Sequence, residues 1–156
     1  MAKLSLALAA AILIGCGSEG ARAADKAPFE IERGNYKILV TSLVDDLKIY
    51  MVEINRGNCS SSWTNEIKGQ NNTVMYNKVT VNETDRGSYV YARIYVNGGQ
   101  KEDKTISLDD FYGQYGKDAA AINLKFGEQE QIGAYCSKIL EAKIDTDQGS
   151  WTYTFK

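Results

Sequence analysis

From residue 36 onward, apolar and polar side chains alternate with a period of two, in short runs rich in β-branched and aromatic residues. In an extended chain that period sends successive side chains to opposite faces, so it predicts strands with one buried face. Residues 36–43 (YKILVTSL) form the first run, Val44-Asp45-Asp46 a turn, and residues 47–55 (LKIYMVEIN) the second run, broken by Arg56-Gly57-Asn58. Residues 60–72 are polar, contain Gly69-Gln70-Asn71-Asn72, and read as a loop. Residues 74–83 and 89–97 flank Thr84-Asp85-Arg86-Gly87-Ser88 as a hairpin. Two more strands, 122–126 and 129–136, lie on either side of Gly127, and a closing hairpin joins 139–144 to 151–155.

The two hairpin turns share Thr-Asp-x-Gly-Ser followed by an aromatic, any residue and Tyr. An Asp side chain that bonds to the backbone and a Gly at positive φ suit tight turns. The likeness fades upstream of the turns, which favours shared turn chemistry over an internal duplication. Ser107-Leu108-Asp109-Asp110 resembles a capping box with Asp in place of Glu, predicting a helical turn or two within residues 108–121, ended by Gly113 or Gly116. About eight short strands and at most one short helix predict an all-β domain, a β-sandwich or small barrel, over residues 29–156.

The start of the chain follows a different pattern. Lys3 precedes an apolar run from Leu4 to Gly15, too short to span a bilayer, which takes about 20 residues. A basic start and a short apolar stretch predict a secretory signal over residues 1–15. Leu13-Ile14-Gly15-Cys16 resembles the bacterial lipoprotein cleavage box, so Cys16 is the candidate lipidation site, with a membrane contact through the lipid anchor. Gly17 rather than an aspartate follows, which points to the outer membrane. The competing exit is Ala21-Arg22-Ala23, with cleavage after Ala23 and a soluble exported product. Residues 16–28 read as a small, polar, flexible tether.

Export changes how the other cysteines are read. Cys59 and Cys136 are an even pair in the body of the chain, and in an oxidising compartment they predict a disulfide. A net charge of −2 disfavours nucleic acid as a partner. The chain has no histidine, which excludes Ser-His-Asp and Cys-His mechanisms and histidine metal sites. Asp145-Thr146-Asp147-Gln148-Gly149 opens like a calcium loop, but its glycine falls one position early and no Glu closes it. Ser60-Ser61-Ser62 lacks an activating base, and Gly98-Gly99 lacks the Lys-Ser/Thr of a phosphate loop, so no cofactor or metal is expected.

The strand after Gly87 carries the most informative face. Val90, Ala92, Ile94 and Val96 share one side and suit a core, while Tyr89, Tyr91, Arg93 and Tyr95 share the other. Tyr and Arg are favoured at binding hot spots, so this stripe is the candidate surface for a protein partner in the envelope. In the last strand, Trp151, Tyr153 and Phe155 are expected in the core with the threonines outward. The sequence therefore predicts a non-enzymatic, lipid-anchored envelope module. In architecture it resembles accessory lipoproteins of secretion or conjugation machines and periplasmic inhibitor or immunity proteins. The alternatives are a hydrolase using carboxylates, for which Asp45-Asp46 and Asp109-Asp110 read only as turn and cap residues, or a structural domain that polymerises by strand addition.

Overall fold

The computed structural model describes residues 26–156, so Cys16 and the signal segment lie outside the described residues. Eleven strands form: β1 (Phe29–Gly34), β2 (Lys37–Ser42), β3 (Leu47–Ile54), β4 (Ser60–Lys68), β5 (Thr73–Glu83), β6 (Gly87–Val96), β7 (Gly99–Ser107), β8 (Ile122–Leu124), β9 (Gln129–Tyr135), β10 (Glu141–Thr146) and β11 (Gly149–Thr154). One α-helix, α1 (Leu108–Tyr115), sits between β7 and β8. The all-β sandwich expected from the alternation is present, with more strands than the pattern displayed. One sheet has seven strands in the order β1-β2-β9-β4-β5-β6-β7, and the other has four, β11-β10-β3-β8. Strand β9 slots between β2 and β4, and β10 between β11 and β3, so late strands complete sheets begun by early ones.

The core lies between the sheets. Ile38, Val40, Val52, Ile54, Val79, Val90, Ile132 and Ile144 are all 0% exposed, and each buried aliphatic side chain of this kind is worth about 1.5–3 kcal/mol. In β3 the inward residues change parity, from Leu47 and Ile49 to Val52 and Ile54. The cause is a bulge: Asp145 pairs with Met51 and Thr146 with Ile49, so Tyr50 is skipped. The Tyr50 carbonyl, displaced from the ladder, accepts a hydrogen bond from the Tyr112 hydroxyl at 3.2 Å. Burial pushes the Tyr112 phenol up to about 12, so it stays a donor.

Helix α1 begins as its capping box predicts. The Ser107 Oγ accepts from the Asp110 N–H at 3.2 Å and donates to the Asp110 carboxylate at 2.7 Å. It stops at Gly116, whose φ of 81° a residue with a Cβ adopts at a cost. Leu108 and Phe111 are buried where the helix packs on β6 and β7.

Three strands escape the alternation pattern. Residues 60–68, read as loop, form β4 in the middle of the larger sheet, paired with β9 and β5. Their polar groups are satisfied by tertiary partners: Ser61 Oγ donates to the Val52 carbonyl at 2.5 Å, and Trp63 Nε1 donates to the Ala120 carbonyl at 2.8 Å. Strand β7 is a charged edge, with Lys101, Glu102 and Asp103 in sequence, a composition that blunts edge-to-edge pairing. Strand β1 reads poorly because Glu30, Glu32 and Arg33 punctuate it. Its Phe29 nonetheless packs against Trp151 and Tyr153, both rings at 5.7 Å, so the aromatic side of β11 faces inward as expected.

The shared turn motif closes two different loops. Glu83 pairs with Gly87 around three residues, after a bulge that leaves Asn82 at φ 55°, whereas Thr146 pairs with Gly149 around two. Asp147 does not make the expected side-chain turn contact; its Oδ1 accepts from the Lys48 N–H of β3 at 3.1 Å, and Thr146 Oγ1 closes the turn by accepting from the Gln148 N–H at 3.0 Å. The two turns thus differ in loop length, in glycine φ (70° at Gly87, 143° at Gly149) and in turn contacts, so the shared motif encodes neither one turn geometry nor a structural repeat.

Cys59 and Cys136 are disulfide-bonded, with Cα atoms 5.5 Å apart and a sequence separation of 77. Both follow strand ends where the chain changes sheets, β3 to β4 and β9 to β10. Asn55 sits beside the bridge at φ 50° and uses its whole amide. Its Nδ2 donates to the Lys138 carbonyl at 2.8 Å, and its Oδ1 accepts from the N–H groups of Leu140 at 2.8 Å and Glu141 at 3.0 Å. Asn tolerates the left-handed conformation better than other residues with a Cβ. Asn55→Ala is therefore expected to lower unfolding free energy by about 2–4 kcal/mol, and Asn55→Gly by about 1 kcal/mol less, since glycine relieves the φ cost but not the lost acceptor. Cys59→Ala with Cys136→Ala is expected to cost about 3–4.5 kcal/mol, from the freed loop entropy. Urea titration of the three variants checks both; a double cysteine variant within 1 kcal/mol of the parent would contradict the second.

Candidate functional site

The outer face of β4 through β7 collects the predicted stripe. Along β6, Val90 and Ala92 are fully buried and send Tyr89, Tyr91, Arg93 and Tyr95 to the opposite side, where all four are half-buried. On β5 the same pleat buries Met75, Asn77 and Val79 and exposes Tyr76 and Lys78. The register puts Arg93 between Tyr76 of β5 and Asp103 of β7, and Tyr91 between Lys78 and Thr105.

Asp103 organises the centre of this face. Its Oδ1 accepts from Arg93 Nε at 3.0 Å, and its Oδ2 accepts from the Tyr91 hydroxyl at 2.7 Å. Arg93 Nη2 also donates to the Tyr91 hydroxyl at 3.2 Å, with the guanidinium 5.9 Å from the ring centroid of Tyr91. Arg93 and Tyr91 hold the Asp103 carboxyl below the usual carboxylate range, and Asp103 raises Arg93 in turn. Next to this cluster Tyr95 meets Tyr76 edge to face, centroids 5.6 Å apart and planes at 88°. The Glu66 carboxylate raises the Tyr76 phenol. Thr64, Glu66, Tyr76, Lys78, Tyr91 and Arg93 line an open depression of about 620 Å³.

The arrangement offers rings, hydroxyls and a fixed guanidinium at the surface; it suits recognition. The other candidate residues lie apart from it. Asp45 and Asp46 occupy the turn between β2 and β3, and Asp109 and Asp110 the first turn of α1. Asp145 pairs with Lys143 at 3.5 Å on the smaller sheet. Among the described residues no three acids or cysteines gather as a metal site. The sequence reading missed Glu66, Tyr76, Lys78 and Asp103 as members of the face. The alternation of β5 already carried the signal for Tyr76 and Lys78. Asp103 carried none, because only the β6–β7 register brings it to Arg93. No protein-family model, curated protein or solved structure matches the chain.

Because these side chains stand on the outer face, Tyr91→Ala and Arg93→Ala are each expected to lower the melting temperature by less than about 5 °C. The Asp103 contribution has a definite sign. A carboxyl lowered in the folded state stabilises above the usual carboxylate range and loses that effect as pH falls through the folded value. The Arg93→Ala penalty should therefore shrink below about pH 4. Thermal melts of parent and variant from pH 7 to pH 3 test this; a penalty that grows on acidification would contradict the assignment.

Proposed function

We propose that the protein is an exported, non-enzymatic lipoprotein of the cell envelope that binds a protein partner through the outer face of β4–β7. The observation that carries the binding reading is the Tyr91–Arg93–Asp103 network beside an open depression. Side chains already held in place lose little rotamer freedom on contact, and Tyr and Arg supply most of the energy at many interfaces. The Cys59–Cys136 disulfide supports export, since such bonds persist in oxidising compartments. The apolar run ending at Cys16 supports acylation there and an outer-membrane location facing the periplasm or the surface. Residues 17–28 then serve as the tether. Polymerisation by strand addition is the second reading: of the four edge strands, β7 is densely charged and β8 has three residues, which disfavours addition there, while β1 and β11 have six residues each.

Two experiments separate the parts of this reading. Labelled palmitate should enter the parent and not Cys16→Ser; an unlabelled parent whose N-terminus is Ala24 would replace the anchor with a soluble exported form. A photo-crosslinking amino acid at position 91 should capture one envelope protein, and one at Thr152, on the outward side of β11, should not. Arg93→Ala in the position-91 background should reduce that adduct about tenfold. Equal capture from both positions would overturn the binding face.

A further inference from the structure

The two sulfurs of the Cys59–Cys136 bridge sit in unlike surroundings. Cys59 is 5% exposed, packed in the core, whereas Cys136 is half-buried and lines an open depression of about 340 Å³. Arg33, Tyr36 and Lys138 line the same depression, so its two charged side chains are both cations. Arg33 is fixed there by bonds to the Ile139 carbonyl at 3.2 Å and the Lys156 carbonyl at 3.0 Å. On the protected side, Asn55 Nδ2 lies 3.1 Å from Cys59 Sγ and 3.8 Å from Cys136 Sγ. The amide donor thus favours negative charge on Cys59, while the accessible sulfur lies where an anion is attracted.

We propose that this bridge is a thiol-exchange site with a built-in direction, in which a small anionic thiol attacks Cys136 and Cys59 departs. The incoming thiolate forms a bond to Cys136 Sγ. The Cys59–Cys136 bond breaks, and its electron pair leaves on Cys59 Sγ as a thiolate that accepts from Asn55 Nδ2. The protein then carries a mixed disulfide at Cys136. A second thiolate attacks the small-molecule sulfur of that mixed disulfide and expels the Cys136 thiolate, so the protein gains two electrons and two small thiols become one disulfide. Exchange in the opposite sense, at Cys59, requires entry into the core. The chemistry is independent of the β4–β7 face: the bridge lies where β9 and β4 meet, and the depression beside Cys136 extends to Arg33 and Gly34 of β1.

Glutathione is the probe. The oxidised full chain is incubated with it near pH 8, quenched by alkylation at early times, and its peptides are mapped by mass spectrometry. The expected product has glutathione on Cys136 and the alkyl group on Cys59, at a rate first order in glutathione. Glutathione on Cys59, an even split, or a rate that stops rising with glutathione because it waits for global unfolding would each overturn the proposal. The charge contribution is read with Lys138→Glu, an exposed side chain. Its reaction with glutathione should slow about threefold at low ionic strength relative to cysteamine, whose ammonium cancels the thiolate charge. An unchanged ratio would overturn the preference for an anionic thiol. Circular dichroism of the variant, matching the parent, keeps that result separate from misfolding.

Discussion

Two of the five crossings between the sheets pass through one corner, and the fold depends on how that corner is held. There the chain leaves the smaller sheet between β3 and β4 and re-enters it between β9 and β10. At that point Asn55, in a left-handed conformation, binds the backbone of residues 138, 140 and 141, and the Cys59–Cys136 bond lies beside it. Hydrogen bonds fix the local geometry of the segment, while the covalent bond limits how far the two crossings separate in the unfolded chain. Insertion of β9 and β10 into sheets built mostly from earlier strands needs such a pin, because their contacts are far apart in sequence and costly in chain entropy to form.

The unequal width of the two sheets shapes the surface. A four-stranded sheet cannot cover a seven-stranded one, and α1 packs over β6 and β7 on the inner side. Both the helix and the smaller sheet lie on the same side of β5 and β6, which leaves their opposite side to solvent. Tyr76, Lys78, Tyr91 and Arg93 are therefore displayed on strands whose other face is anchored in the core through Val79 and Val90. A rigid sheet holds these groups in register, and the Asp103 bonds fix Arg93 and Tyr91 relative to each other. The polar inner pair Asn65 and Asn77 sits beneath this face. Asn65 bonds the carbonyls of Ala119 and Ala121, while the Asn77 amide has no hydrogen-bond partner among the described residues.

Local rules made much of this legible from residues alone. Period-two alternation marked most strands, Ser107 and Asp110 marked the helix start, the even cysteine pair marked the bridge, and Val90 against Tyr91 separated the two faces of β6. Each of these depends on neighbours within a few positions or on composition. Strand β4 was not legible, because Ser61, Trp63 and Asn65 become compatible with a central strand only when Val52, Ala120 and Ala119 supply their partners. The parity change in β3 was hidden for the same reason: a bulge is a property of two strands, and Tyr50 is skipped only against β10. Pairing order, the Arg93–Asp103 contact and the role of Asn55 were decided by tertiary structure, since each joins residues whose proximity no local pattern encodes.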